Sequence, residues 1–220
     1  MGDEVREVVR ELWKQFNPGN KQSKEFERTL IALSKCGFVS GYTDALNYVQ
    51  EQNQGFIDLF GNSATQSTGI FINPERSYEA QHVLYEALKN VPSPTGKDGE
   101  FINMAERGGC EYSGFRLARK VHKKGRDGLE LIVFDKGRGF VDGEGHINIL
   151  HAIRPGYSIM SVENEGMGLP QSIAFSDEYE IESMGKLWNS RRLVIPFLRP
   201  SLVDVPFIKG AKIRTVVYNH

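Results

Sequence analysis

Apolar residues recur at helical spacing near the start of the chain. Val5, Val8, Val9, Leu12 and Trp13 fall on one face of a 3.6-residue period, and Pro18-Gly19-Asn20 ends the run. A second run, Phe26, Leu30, Ile31 and Leu33, stops near Cys36-Gly37, and a third helix is expected over residues 42–52. Residues 1–60 therefore read as helical. The small polar stretch 61–69 reads as a linker, dividing the chain into a helical N-terminal extension, residues 1–65, and a second unit, residues 66–220.

Beyond the linker the pattern is mixed. Residues 69–72 read as a short strand. Pro74 and Glu75 open an amphipathic helix with the apolar stripe Tyr78, Val83, Leu84, Ala87 and Leu88, which Pro92 and Pro94 stop. A short helix is expected over 98–107. Residues 115–123 and 129–134 read as a strand pair whose turn is placed at Gly125-Arg126-Asp127-Gly128, the second strand apolar enough to be central. Helices are expected over 147–153 and 169–175, and strands over 179–181, 192–198 and 213–218. The fold class is α+β: a two-layer α/β sandwich whose mixed, mostly antiparallel sheet carries helices on one face.

Composition narrows the function. With 220 residues, 40% apolar and 25% charged, the chain fits one soluble domain with a small appendage. Three short helices with tight turns suggest a DNA-binding helix-turn-helix. Residues 1–60, however, hold seven Lys/Arg against nine Asp/Glu, so the basic footprint is missing and a docking or dimerising cap is the default. No apolar run approaches the roughly 18 residues that span a bilayer, and the charged N-terminus has no signal-peptide core, so a cytoplasmic protein is expected. Cys36 and Cys110 make no disulfide framework, and the five histidines show no metal spacing.

The chemistry concentrates in two glycine motifs. Phe134-Asp135-Lys136-Gly137-Arg138-Gly139-Phe140 is a strand ending in Asp-x-Gly-x-Gly, and Glu165-Gly166-Met167-Gly168-Leu169-Pro170 opens the 169–175 helix. A strand-end carboxylate can accept the amino group of a purine base. A glycine turn at a helix start lets N–H groups approach phosphate. The plainer reading of Asp135 is a turn cap, and Phe140 and Met167 read as packing residues.

Helix, hairpin, Asp-x-Gly-x-Gly, a long polar loop, Gly-x-Gly-Leu, helix, strand and a final glycine before the last strand, in this order over about residues 68–219, resemble the GHKL, or Bergerat-fold, ATP-binding domains. Gyrase, heat-shock chaperones, histidine kinases and anti-sigma-factor serine kinases share that domain, and Gly166 to Ile173 followed by Asp177 is most similar to the bacterial anti-sigma and switch-kinase branch. The resemblance implies that Asp135 holds the adenine amino group while Gly137 and Gly139 curve beneath the base. Gly166, Met167, Gly168 and Leu169 form the phosphate box, residues 141–165 the ATP lid, with Arg154 to Ser158 as a phosphate grip. Lys209-Gly210-Ala211 resembles the last box, with Ala211 where a threonine belongs.

For the Mg²⁺ ligand two positions compete. Asn103, in Asn103-Met104-Ala105-Glu106-Arg107-Gly108, resembles the family's asparagine box, with Arg107 where a histidine belongs and Asp98 and Glu100 as candidate carboxylates. Glu86-Ala87-Leu88-Lys89-Asn90 has the family's Glu-x-x-x-Asn spacing. Asn103 is favoured, and Glu86 is read as part of a solvated helix face. The resemblance implies ATP and Mg²⁺ as cofactors, a sigma-factor or anti-anti-sigma-like protein partner, and phosphoryl transfer to a partner Ser or Thr if a carboxylate is in place. A catalytically inactive nucleotide-binding or interaction module and a transcription regulator with an N-terminal helix-turn-helix are the alternatives, and a homodimer is a further expected partner state.

Overall fold

The computed structural model describes residues 2–18, 22–43, 76, 78–80, 82–83, 86, 114–137, 139–141, 144–155, 168–190 and 202–219. The expected strands at 69–72 and 192–198, the 98–107 helix and most of the 42–52 helix lie outside the described residues.

Helix α1, Asp3–Gln15, carries Asp3 and Glu4 in its first turn and Lys14 in its last, each sign matched to the helix dipole. Helix α2, Lys24–Lys35, is capped by Ser23, whose hydroxyl accepts the Phe26 N–H at 3.1 Å. Its C-terminus closes with Gly37 at φ +83: the Gly37 N–H donates to the Ser34 carbonyl and the Phe38 N–H to that of Leu33. That left-handed residue turns the chain directly into strand β1, Val39–Thr43. Tyr42, expected to begin a third helix, lies in this strand. β-Branched and aromatic residues after a helix-stopping glycine suit an edge strand, and no helix forms there.

Strands β2, Gly114–Lys123, and β3, Arg126–Asp135, form the predicted hairpin. The turn is Lys124-Gly125, at φ 53 and 75, rather than Asp127-Gly128, which pair within the ladder. Two consecutive left-handed residues match the twist of the flanking strands. Next come α3, Ile149–Ala152, α4, Gly168–Phe175, β4, Glu178–Ser183, β5, Lys186–Asn189, β6, Val203–Asp204, and β7, Ala211–Tyr218. The sheet order is β1-β2-β3-β7-β4-β5-β6, with every neighbouring pair antiparallel. No helix among the described residues is long and apolar enough to cross a membrane.

The described helices lie on both faces of the sheet. Cross-strand partners share a face, so Phe115, Phe134 and Lys212 stand together, as do Ile132 and Arg214. On that face α1 and α2 bury Val9, Leu12, Trp13, Phe16, Phe26 and Leu33 against Phe115, Leu117, Ile132 and Phe134. The rings of Phe26 and Phe115 meet edge to face at 5.2 Å. The opposite face carries Val133, Ile213, Ile181 and Trp188, and there Val83, Ile149 of α3 and Leu169 of α4 close a second core. The helices of the N-terminal segment thus share a core with the sheet, forming a third layer.

Towards β7 and β4 the first face is charged. Arg10 donates to Glu182 at 2.6 Å, Lys212 to the same carboxylate at 2.6 Å, Arg6 to Glu180 at 3.2 Å, and Arg214 to Glu130 at 2.5 Å. The first and third of these pairs join α1 to β4, and the other two join β7 to β4 and β3. Removing one member leaves its partner charged and buried, a larger loss than the pair itself contributes.

If α1 and α2 are an integral layer, Phe26→Ala lowers unfolding free energy by about 3–5 kcal/mol, as for a large core side chain. Ile31→Ala, on the same helix but 57% exposed, changes it by about 0.5 kcal/mol or less. Urea unfolding monitored by circular dichroism checks both values.

Candidate functional site

Asp135 ends β3, and its side chain is buried. Its Oδ1 accepts the Gly137 N–H at 2.6 Å, and the Ala211 N–H also donates to the carboxylate. Asp135 therefore does cap the turn that follows it. Burial pushes its carboxyl up to about 7, against the two N–H groups and the Lys136 ammonium, all of which favour the anion. A carboxylate has about four acceptor positions, so these two bonds leave capacity for a further donor.

The backbone closes around this residue because two glycines lack side chains. At Gly139, φ +74, a Cβ would overlap Ser183 Oγ. At Gly210, φ +107, it would overlap the Asp135 carbonyl oxygen. Ser183, fully buried, accepts the Phe140 N–H at 2.9 Å and donates to the Gly210 carbonyl at 3.0 Å, so β4 ties the Asp-x-Gly-x-Gly turn to the approach of β7. On the other side the Trp13 indole N–H donates to the Asp135 carbonyl at 2.7 Å. Asp135, Gly137, Gly139 and Gly210, predicted separately, form one cluster. Ser183 and Trp13 belong to it too; a serine at a strand end and a tryptophan on an apolar helix stripe gave no sequence signal for that role.

The second motif begins α4 at Gly168, with Gly166 and Met167 outside the described residues. Residues 76, 78–80, 82, 83 and 86 are helical, and Glu86 is buried, 8% exposed. Its carboxylate occupies the space that a Gly168 Cβ would fill. The solvated reading of Glu86 is therefore wrong: only a glycine at the start of α4 lets the carboxylate reach the positive end of that helix. Of the expected stripe, Leu84, Ala87 and Leu88 lie outside the described residues. Val83 is buried as expected, but Tyr78 is 65% exposed while Ala80 and Glu86 are buried. Below them lies Tyr179 of β4, fully buried, whose phenol is pushed up by burial and then by the negative Glu86. Tyr179 Oη has no hydrogen-bond partner among the described residues.

Leu169 points into the second core, beside Val83 and Tyr179, so its side chain packs. Phe140 packs against the same cluster. The residues that follow Gly139 and Gly168 thus meet one apolar core on one sheet face, which brings the two motifs together. The segment expected to form the lid begins with a Val141–Ile147 bridge and α3, whose Ile149 is buried. Asn103, Arg107, Asp98, Glu100 and Asn90 lie outside the described residues. An open depression lined by Arg119, Lys123, Arg214, Val216 and Tyr218 lies at the other end of these strands from Asp135, with its arginines held by Glu130 and Glu178.

No protein-family model matches the sequence, and no curated protein is significantly similar to it.

The raised carboxyl fixes a sign. Asp135 keeps its proton in the folded chain after an unfolded chain has lost it. Its contribution to stability is therefore full below about pH 4 and lost as pH rises through about 7. The stability difference between wild type and Asp135→Asn should fall by about 4 kcal/mol from pH 4 to pH 8. Denaturant titrations across that range measure it, and carbon NMR of the Asp135 carboxyl should show a midpoint near 7.

Proposed function

We propose that this chain is an ATP-binding regulatory protein of the GHKL, Bergerat-fold kind, resembling the anti-sigma and switch serine kinases. The observation that supports it most is the closure of Gly139, Ser183 and Gly210 around the turn at Asp135, whose carboxylate accepts the Gly137 N–H, with Glu86 and Gly168 set on the same sheet face. In this reading Asp135 accepts the adenine amino group with its remaining lone pairs. The glycine turn gives the base a backbone floor, and the N-terminus of α4 faces the phosphates.

The donor set fits a magnesium nucleotide. A buried carboxylate at the phosphate end would repel a bare triphosphate, and a divalent cation offsets that repulsion and neutralises charge on the terminal phosphates. Asn103 is the first candidate ligand. Asn90, four residues after Glu86, is the second, and the burial of Glu86 raises its standing. Glu86 itself orients a water or a partner hydroxyl for attack on the terminal phosphoryl group. A carboxylate held at Gly168 favours transfer or hydrolysis over the binding-only module, and a sigma-factor or anti-anti-sigma-like protein is the acceptor this reading implies.

Calorimetric titration with ADP and a non-hydrolysable ATP analogue, with and without Mg²⁺, is the test. Micromolar, metal-sensitive binding supports the reading, and no binding overturns it. Asp135→Asn should weaken binding at least about tenfold, the loss of roughly one charge-assisted hydrogen bond. Glu86→Gln should leave affinity within about threefold while lowering phosphoryl transfer or hydrolysis about 10²- to 10⁴-fold, the usual span for a general base. Unchanged turnover in that variant would move the catalytic role to Asp98 or Glu100.

A further inference from the structure

We propose that Trp13, in the N-terminal helix, is the positioning residue for base recognition: its indole N–H fixes the Asp135 peptide and so aims the Asp135 carboxylate. The inference rests on the nucleotide reading above. The indole donates to the Asp135 carbonyl at 2.7 Å, and Trp13 is fully buried. Asp135 lies one residue past the last β3–β7 pair, Phe134 opposite Lys212, so on the β7 side no ladder pair sets its orientation, and its one remaining ladder partner is Gly114 of β2. Gly210 lies so close to the same carbonyl that any side chain there would overlap it. The peptide thus has both an indole N–H donor and a bare glycine against its carbonyl.

The contact runs both ways. Lys136 donates to the Lys14 carbonyl at 3.2 Å, so residues next to Asp135 and Trp13 also hold each other. The Trp13 ring lies 5.6 Å from Lys212 Nζ and 6.0 Å from Lys136 Nζ, within cation–π reach. An indole N–H can only donate, and burial leaves it no water as a substitute partner. Phenylalanine at this position would keep most of the packing and lose only the donor.

Full-length wild type and Trp13→Phe are titrated calorimetrically with ADP and with IDP, which carries a 6-keto group in place of the 6-amino group. Wild type should prefer ADP. Trp13→Phe should lower ADP affinity about tenfold and leave IDP affinity within about twofold, because the effect is confined to the amino-group contact. The Asp135 carboxyl titration midpoint should also drop towards the ordinary carboxylate range as water reaches a looser loop. Arg10→Gln weakens the seat of the same helix through Glu182 and should lower stability without changing the ADP/IDP ratio. If Trp13→Phe fails to fold, Lys136→Met, which cuts the exposed half of the contact, should reduce the ADP/IDP ratio.

An equal loss for both nucleotides, or an unmoved ratio and midpoint, overturns the positioning role. A wild type that does not distinguish ADP from IDP overturns base recognition by Asp135 instead. The titration midpoint in Trp13→Phe then decides whether the indole controls Asp135.

Discussion

Asp135 gives its carboxylate to the Gly137 and Ala211 N–H groups and its carbonyl to the Trp13 indole, so one residue at the end of β3 fastens the N-terminal layer, the glycine turn and β7. Each contact demands the others. The turn closes only because Gly139 and Gly210 have no side chains, and the carbonyl is reachable only because α1 lies on that face. A charge in so dry a place is costly, which is why the carboxyl is held so far above its ordinary value.

The two faces of the sheet solve different problems. The face under α1 and α2 is aromatic at β2 and β3 and turns ionic towards β7 and β4, where Glu182 meets both Arg10 and Lys212. Buried ion pairs of this kind add little net stability over an apolar core, but a misplaced α1 would strand several charges at once. The register of the helix on the sheet is thereby specified. The other face carries an apolar cluster around Ile149, Leu169, Ile181, Trp188 and Ile213, with Glu86 and Thr215 buried beside it, and it carries the segments on which both glycine motifs sit.

At Glu86, spacing and burial point in different directions. Its position four residues before Asn90 matched the family's pattern, yet the prolines that follow and the apparent stripe of the helix argued for a solvated face. The structure corrects the solvated face alone: the helix turns Tyr78 outward and Glu86 inward, against a glycine. On the reading proposed above, that carboxylate is the candidate base.

Local rules made much of the fold legible in the sequence: the periodicity of α1 and α2, the Gly37 stop, the hairpin strands and the strand-end Asp-x-Gly-x-Gly followed by Gly168 and α4. Each depends on neighbours within a few residues, as helix caps and glycine conformations do. What only the tertiary structure decided was which side of an element faces inward and what it meets there. Strand β1, the inward Glu86 and the bond from Trp13 to Asp135 all depend on partners far along the chain. In the last case 122 residues separate donor and acceptor. A sequence pattern shows that a tryptophan will be buried, but only packing brings its one N–H to a particular carbonyl.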